Sequence, residues 1–170
     1  MTRANRVIFA IAAAGFLALA PALPARAQAR FDTRPVTFLV DLGYVNLADY
    51  PKWIALGPEV ELRLGRFLSL NPEASIWLRQ SRGGTVQFVP GATANVHIGR
   101  FSIGGGAVRR VSDWSESAGG ALVPKFQVGL RSGPTRLTLA GYYLNVTNDV
   151  VLSLTVGIGV GRREPRDPDD

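Results

Sequence analysis

Residues 56–70 read Leu56-Gly57-Pro58-Glu59-Val60-Glu61-Leu62-Arg63-Leu64, then Gly65-Arg66, then Phe67-Leu68-Ser69-Leu70. From Leu56 to Leu64 every second residue is apolar or proline, and the residues between are small or charged. The alternation resumes at Leu68. A period of two puts each set on one face of an extended strand, whereas a helix repeats at about 3.6 residues. Gly-X between two alternating runs is the pair expected of a two-residue type II′ hairpin turn. The stretch therefore predicts a β-hairpin whose two faces differ sharply in polarity.

The same alternation runs from Leu68 to Leu78, Val86 to Ile98, Leu122 to Leu130 and Leu152 to Val160. Gly99-Arg100 and Gly133-Pro134 break it as Gly65-Arg66 does, and the three glycines are spaced by 34 residues. One hairpin per 34 residues predicts about eight strands, near 35–46, 54–64, 67–79, 85–98, 101–110, 121–131, 136–146 and 149–160. Four prolines (Pro58, Pro72, Pro90 and Pro124) fall inside these runs. Each lacks a ladder donor, so bulges or segments near a rim are expected there.

Which face is apolar decides the solvent. The polar face carries Asp41, Glu59, Glu61, Arg63, Glu73 and Lys125 in mid-strand, and both signs occur, as a narrow polar lumen requires. The opposite face is apolar over lengths that suit transmembrane strands, about 9–11 residues, better than globular ones. Tyr44, Trp53, Phe88 and Tyr143 are expected at one rim and Phe67 and Phe101 at the other, as two aromatic girdles. Hydrocarbon leaves no unpaired backbone, so the first strand must pair with the last. The fold class is thus all-β: an eight-stranded antiparallel up-and-down transmembrane β-barrel.

The ends and the composition agree with export. Arg3 and Arg6 precede an uncharged run, Pro21 and Pro24 break it, and Ala25-Arg26-Ala27 supplies small residues for cleavage after Ala27. The expected organisation is a signal peptide at 1–27, a barrel at 28–161 and a polar disordered tail at 162–170. Removing the signal takes three of the 19 basic residues and leaves a net charge of +3 against 13 acidic ones. The remaining arginines are dispersed, so no nucleic-acid patch is indicated. There is no cysteine and His97 is the only histidine, which leaves a metal site without ligands.

With the signal, the alternating strands, the tight turns and the polar lumen, residues 31–161 resemble the small eight-stranded outer-membrane β-barrel proteins, of the outer-membrane protein A type. The resemblance implies a bacterial outer-membrane location and lipid as the surroundings. It also implies insertion by the outer-membrane assembly machinery, which reads the last strand, here Leu152 to Val160. A monomer without cofactor is expected.

The six lumen charges read as a structural ion-pair network, since a lumen eight strands wide is filled by side chains. Arg79, Arg82, Arg109 and Arg110 fall near the loop rim, where they would meet lipopolysaccharide phosphates or water. The loop around Trp114, the longest, is the expected partner-contact surface. Gly104-Gly105-Gly106 lies within a strand and lacks the Lys-Ser/Thr of a phosphate loop, so it marks a bend or the entry of a large neighbouring side chain. Two other readings compete. A soluble periplasmic barrel would line its interior with the leucine face and bind a small apolar ligand. An outer-membrane lipid hydrolase would need His97 beside a serine and an acid. No catalytic residue is assigned.

Overall fold

The computed structural model describes residues 35–47, 52–80, 84–109, 111–112, 122–144 and 149–160. The signal, the tail, Arg82, Arg110 and the segment around Trp114 lie outside the described residues. The strands are β1 (Val36–Val45), β2 (Trp53–Leu64), β3 (Leu68–Arg79), β4 (Val86–Ile98), β5 (Phe101–Arg109), β6 (Val111–Ser112), β7 (Leu122–Ser132), β8 (Thr135–Leu144) and β9 (Asp149–Val160). Both β5 and β6 pair with β4, in one register, 91 with 108 and 88 with 111. They form a single stave, so the ring has eight.

The ring closes. Each stave pairs antiparallel with its neighbours in chain order, and β1 pairs with both β2 and β9. One circuit makes the geometry concrete. Pro35 accepts the Arg63 amide, and the pairing then passes through Ser69, Asn95, Gly104, Gln127, Ala140 and Ser153 back to Val45. The path returns to β1 ten residues beyond its start, 35 to 45. With eight staves and that stagger, standard strand spacings give a tilt of about 41° and a backbone radius of about 8 Å. A tube this narrow has room for its own side chains and little else.

The prolines differ from expectation. The β2–β3 register is the same before and after them, 56 with 76 and 62 with 70. The ladder skips residues 57, 58, 60 and 61, around Pro58 and opposite Pro72. Pro90 and Pro124 sit in unbroken registers opposite Ala74 and Ala107. There is no inserted residue, hence no bulge, and Pro58, Pro72 and Pro90 lie in mid-strand. The physical reason is parity: all four are on the outward face, where the ring is simply another apolar group, and the missing donor only thins the ladder locally.

The hairpin at Gly65 also differs. Leu64 pairs with Leu68, so Gly65, Arg66 and Phe67 form a three-residue loop instead of two. Pairing Leu64 with Phe67 would have turned Leu68, Leu70, Ile76 and Leu78 into the lumen, and the polarity of the two faces forbids that slip. At Gly99-Arg100 and Gly133-Pro134 the two-residue turns stand: Ile98 pairs with Phe101, and Ser132 with Thr135. Gly99 and Gly133 have φ of 63° and 59°, while Arg100 and Pro134 have no positive φ, which is the type II′ pattern.

Burial alternates along most of the long strands, and its sense is inside out. Phe38, Leu42, Leu56, Leu68, Ile76, Phe126 and Ile158 are exposed, whereas Glu59, Glu61, Asn71, Asn95, Lys125 and Arg136 are buried. Among the described residues 26 large hydrophobics are exposed and ten hydrophobic residues are buried. A water-soluble barrel would reverse those faces. The leucine face does not line the cavity, contrary to the soluble alternative.

Candidate functional site

The candidate site is the lumen, and the register builds it in two zones. Toward the tight turns the inward positions include Glu59, Glu61, Asn71, Asn95, Lys125, Gln127 and Arg136. Toward the loop end they are Val45, Trp53, Ala55, Trp77, Val89, Val108, Ala140, Tyr142 and their neighbours.

The ionic zone joins staves that are far apart in the ring. Arg136 on β8 grips Glu59 on β2 with both terminal nitrogens, at 2.6 and 2.5 Å, three staves away. Lys125 on β7 donates to both oxygens of Glu73 on β3, at 2.6 and 2.7 Å, also three staves away. Arg131 on β7 pairs with Glu61 on β2, four staves away in either direction. Glu61 also accepts from Arg63 at 2.7 Å. The Arg136–Glu59 fork is the strong, planar form of such a pair, and every one of these charges would be costly to bury alone.

Five of the six charges named from the sequence (Glu59, Glu61, Arg63, Glu73 and Lys125) are in these hydrogen-bonded pairs. The sixth, Asp41, lies 3.5 Å from Arg136. Sequence reasoning missed Arg131 and Arg136, which complete four acids with four bases. The signal was present: Leu137 and Leu139 flank Thr138 and fix the outward parity of β8, which turns Arg136 inward.

Two glycines make room for bridges over a stave. Gly104 pairs with Asn95 on one side and Gln127 on the other, and the Gln127 amide donates to Asn95 Oδ1 at 2.8 Å across it. A Cβ on Gly104 would collide with that Asn95 side chain. Gly157 likewise lies between Asp41 and Arg136, and a Cβ there would meet the Asp41 carboxylate. The Gly104 motif is thus the entry of a neighbouring side chain, as the sequence suggested.

Where the zones meet, Trp77 and Tyr142 stack edge to face with centroids 5.3 Å apart. Lys125 Nζ lies 5.7 Å from the Tyr142 ring. A cavity of about 30 Å³ lies among Asp41, Glu59, Glu73, Lys125, Arg136 and Thr138, with Trp77 and Tyr142 in its wall. Asp41 Oδ1, Arg136 Nε and Thr138 Oγ1 have no protein hydrogen-bond partner, and their residues line it. Its size and polarity are those of a one-water site. Beyond the aromatic pair, a cavity of about 190 Å³ opens among Trp53, Trp77, Val108, Val123, Tyr142 and Val151. Trp53 therefore belongs to the lumen and not to an outer girdle, as the shared parity of Trp53, Ala55 and Gly57 dictates. Tyr44, Phe88 and Tyr143 are exposed on the outer face, and Phe67 and Phe101 at the turn end.

His97 does meet a serine. Its Nε2 is 2.8 Å from Ser69 Oγ on the neighbouring strand. The surrounding hydrogen bonds fix the direction of that contact. Asn71 Nδ2 donates to Glu59 at 2.6 Å, which leaves Asn71 Oδ1 to accept the Ser69 hydroxyl proton at 2.6 Å. His97 must then donate from Nε2 to Ser69, the opposite of a general base. The rim arginines that are described, Arg79 and Arg109, are exposed at the loop end; the Arg79 guanidinium lies 6.0 Å from the Trp53 ring centroid. Among the described residues no group of three or more His, Cys, Asp or Glu side chains is placed to hold a metal.

Fold and lumen together define an up-and-down eight-stave barrel, apolar outside and ion-paired inside. No family model matches the chain, and no curated protein matches it. Among solved structures it is similar to the outer membrane protein Ail of Yersinia pestis in a phospholipid bilayer nanodisc, with a TM-score of 0.47 and 13% identity over 73% of this chain and 99% of that one.

Proposed function

We propose that this protein is an integral barrel of a bacterial outer membrane, exported with its signal cleaved after Ala27, with a structural or surface-interaction role. The observation that carries the reading is the exposure of large hydrophobics, Phe38, Leu42, Leu56, Phe126 and Ile158 among them, all round a closed ring whose charges are inside. Water would not tolerate so much contiguous apolar surface on a monomer, whereas lipid requires it. Staves paired with both neighbours around the whole circuit answer the other demand of hydrocarbon, with the ladder thinned only around Pro58 and Pro72.

The ion pairs support a plugged lumen and small-solute passage at most. Arg79 and Arg109, together with Arg82 and Arg110, are the proposed contacts to lipopolysaccharide phosphates, and the segment around Trp114 is the proposed surface for a partner. The assembly machinery is the partner during insertion, and the inserted form is a monomer. The reading gives no catalytic role to Ser69 and His97, since the hydrogen-bond direction between them leaves no base.

The test is fractionation followed by gel mobility with and without boiling. Outer-membrane recovery and a band that shifts on heating are the expected results. Recovery in the soluble periplasm without a heat shift would overturn the reading.

A further inference from the structure

The cavity at the loop end of the lumen is unlike anything needed to hold the barrel together. Its volume of about 190 Å³ exceeds the roughly 150 Å³ in which a dry apolar cavity already takes up benzene. The cavity in the ionic zone, by contrast, has a volume of only about 30 Å³. We propose that this apolar cavity is a binding site for a small uncharged aromatic molecule of about one ring.

Three observations set the ligand class. The wall carries three aromatic rings, Trp53, Trp77 and Tyr142, with aliphatic side chains such as Val108, Val123 and Val151 and two neutral amides, Asn46 and Gln87. Rings of this kind reward a flat aromatic guest by edge and offset contacts as well as by burial. None of the wall residues is acidic or basic; the eight lumen charges belong to the other zone, so a charged guest would be desolvated without a partner. Finally, Trp77 and Tyr142 line both cavities, with the Lys125 ammonium on the ionic side of Tyr142. The aromatic pair is a floor backed by salt bridges. The site is therefore a pocket and not part of a channel. The inference rests on the barrel and not on which membrane surrounds it.

The experiment uses the full mature chain in lipid nanodiscs, with valine and isoleucine methyls labelled for NMR and fluorobenzene as the probe. A boiled and unboiled gel of the same sample reports whether the barrel has formed, independently of binding. Saturable shifts of the Val108, Val123 and Val151 methyls are expected, while Ile158 and Val160 on the outer face show only the unsaturable drift of probe dissolving in lipid. Val123→Trp should weaken the midpoint by about tenfold or more, which corresponds to about 1.4 kcal/mol. Val151→Trp serves if the first variant does not insert. Benzylamine, a cation of similar size, should leave the inward methyls unmoved. Equal shifts on both faces, no inward shift, an undiminished response in a folded filled variant, or equal binding of the cation would each overturn the proposal.

Discussion

The two ends of this lumen have the same walls, the same strands and the same radius, yet they are filled by opposite chemistry. The turn end holds four acids and four bases in contact across the ring; the loop end holds aromatic rings, valines and open space. The difference shows that lumen polarity in a small barrel is not uniform and is not set by the fold. It is chosen stave by stave through the inward residues. In the ionic zone Glu59, Glu61 and Glu73 take their partners from three or four staves away, so no isolated hairpin satisfies all its own charges. In the apolar zone each side chain gains something from whatever neighbour is present.

Substitutions should expose that contrast, and the largest effect belongs to the ionic zone. Glu59→Ala leaves the Arg136 guanidinium buried without its fork and is expected to cost about 3–5 kcal/mol in urea unfolding from lipid vesicles. Combining Glu59→Leu with Arg136→Leu should recover most of that loss. If the double variant were as unstable as the single, the cost would lie in packing and not in the unpaired charge. Next comes Gly104→Val, which drives a side chain into Asn95 and parts the Asn95–Gln127 bridge, for about 1–3 kcal/mol. A neutral Gly104→Val would mean that the bridge over β5 is slack. The smallest effect is expected from Val151→Ala on the wall of the apolar cavity, about 0.5–1.5 kcal/mol, since open space already adjoins it. A loss as large as that of Glu59→Ala would erase the distinction between the zones.

Much of this was legible in the sequence because parity is a hard constraint. Glu59, Glu61 and Arg63 share a face with no interruption, and the leucines between them can only point the other way. The Gly99 turn followed from its residue pair alone. What stayed hidden had two sources. Arg131 and Arg136 were within reach of the same parity argument, but each stands next to a turn, where a short run gives alternation little length to show itself. The Gly65 loop and the absence of bulges at the prolines depend on how neighbouring staves align. That alignment is a property of the pairing between strands, and no single run of residues contains it. The stagger of ten residues around the ring is of the same kind.

The pairs that span three and four staves have a mechanical consequence. A thin-walled hoop resists stretching along its circumference but flattens easily, since an oval keeps the same perimeter. Flattening lengthens one diameter and shortens the one at right angles. The pairs Arg136–Glu59 and Lys125–Glu73 run parallel across the section and Arg131–Glu61 runs close to the same direction, so an oval that lengthens the section that way must pull all three apart. They act as spokes. Flattening of the turn end is therefore resisted in that one direction, while the loop end, braced only by touching rings, is the softer mouth of the tube.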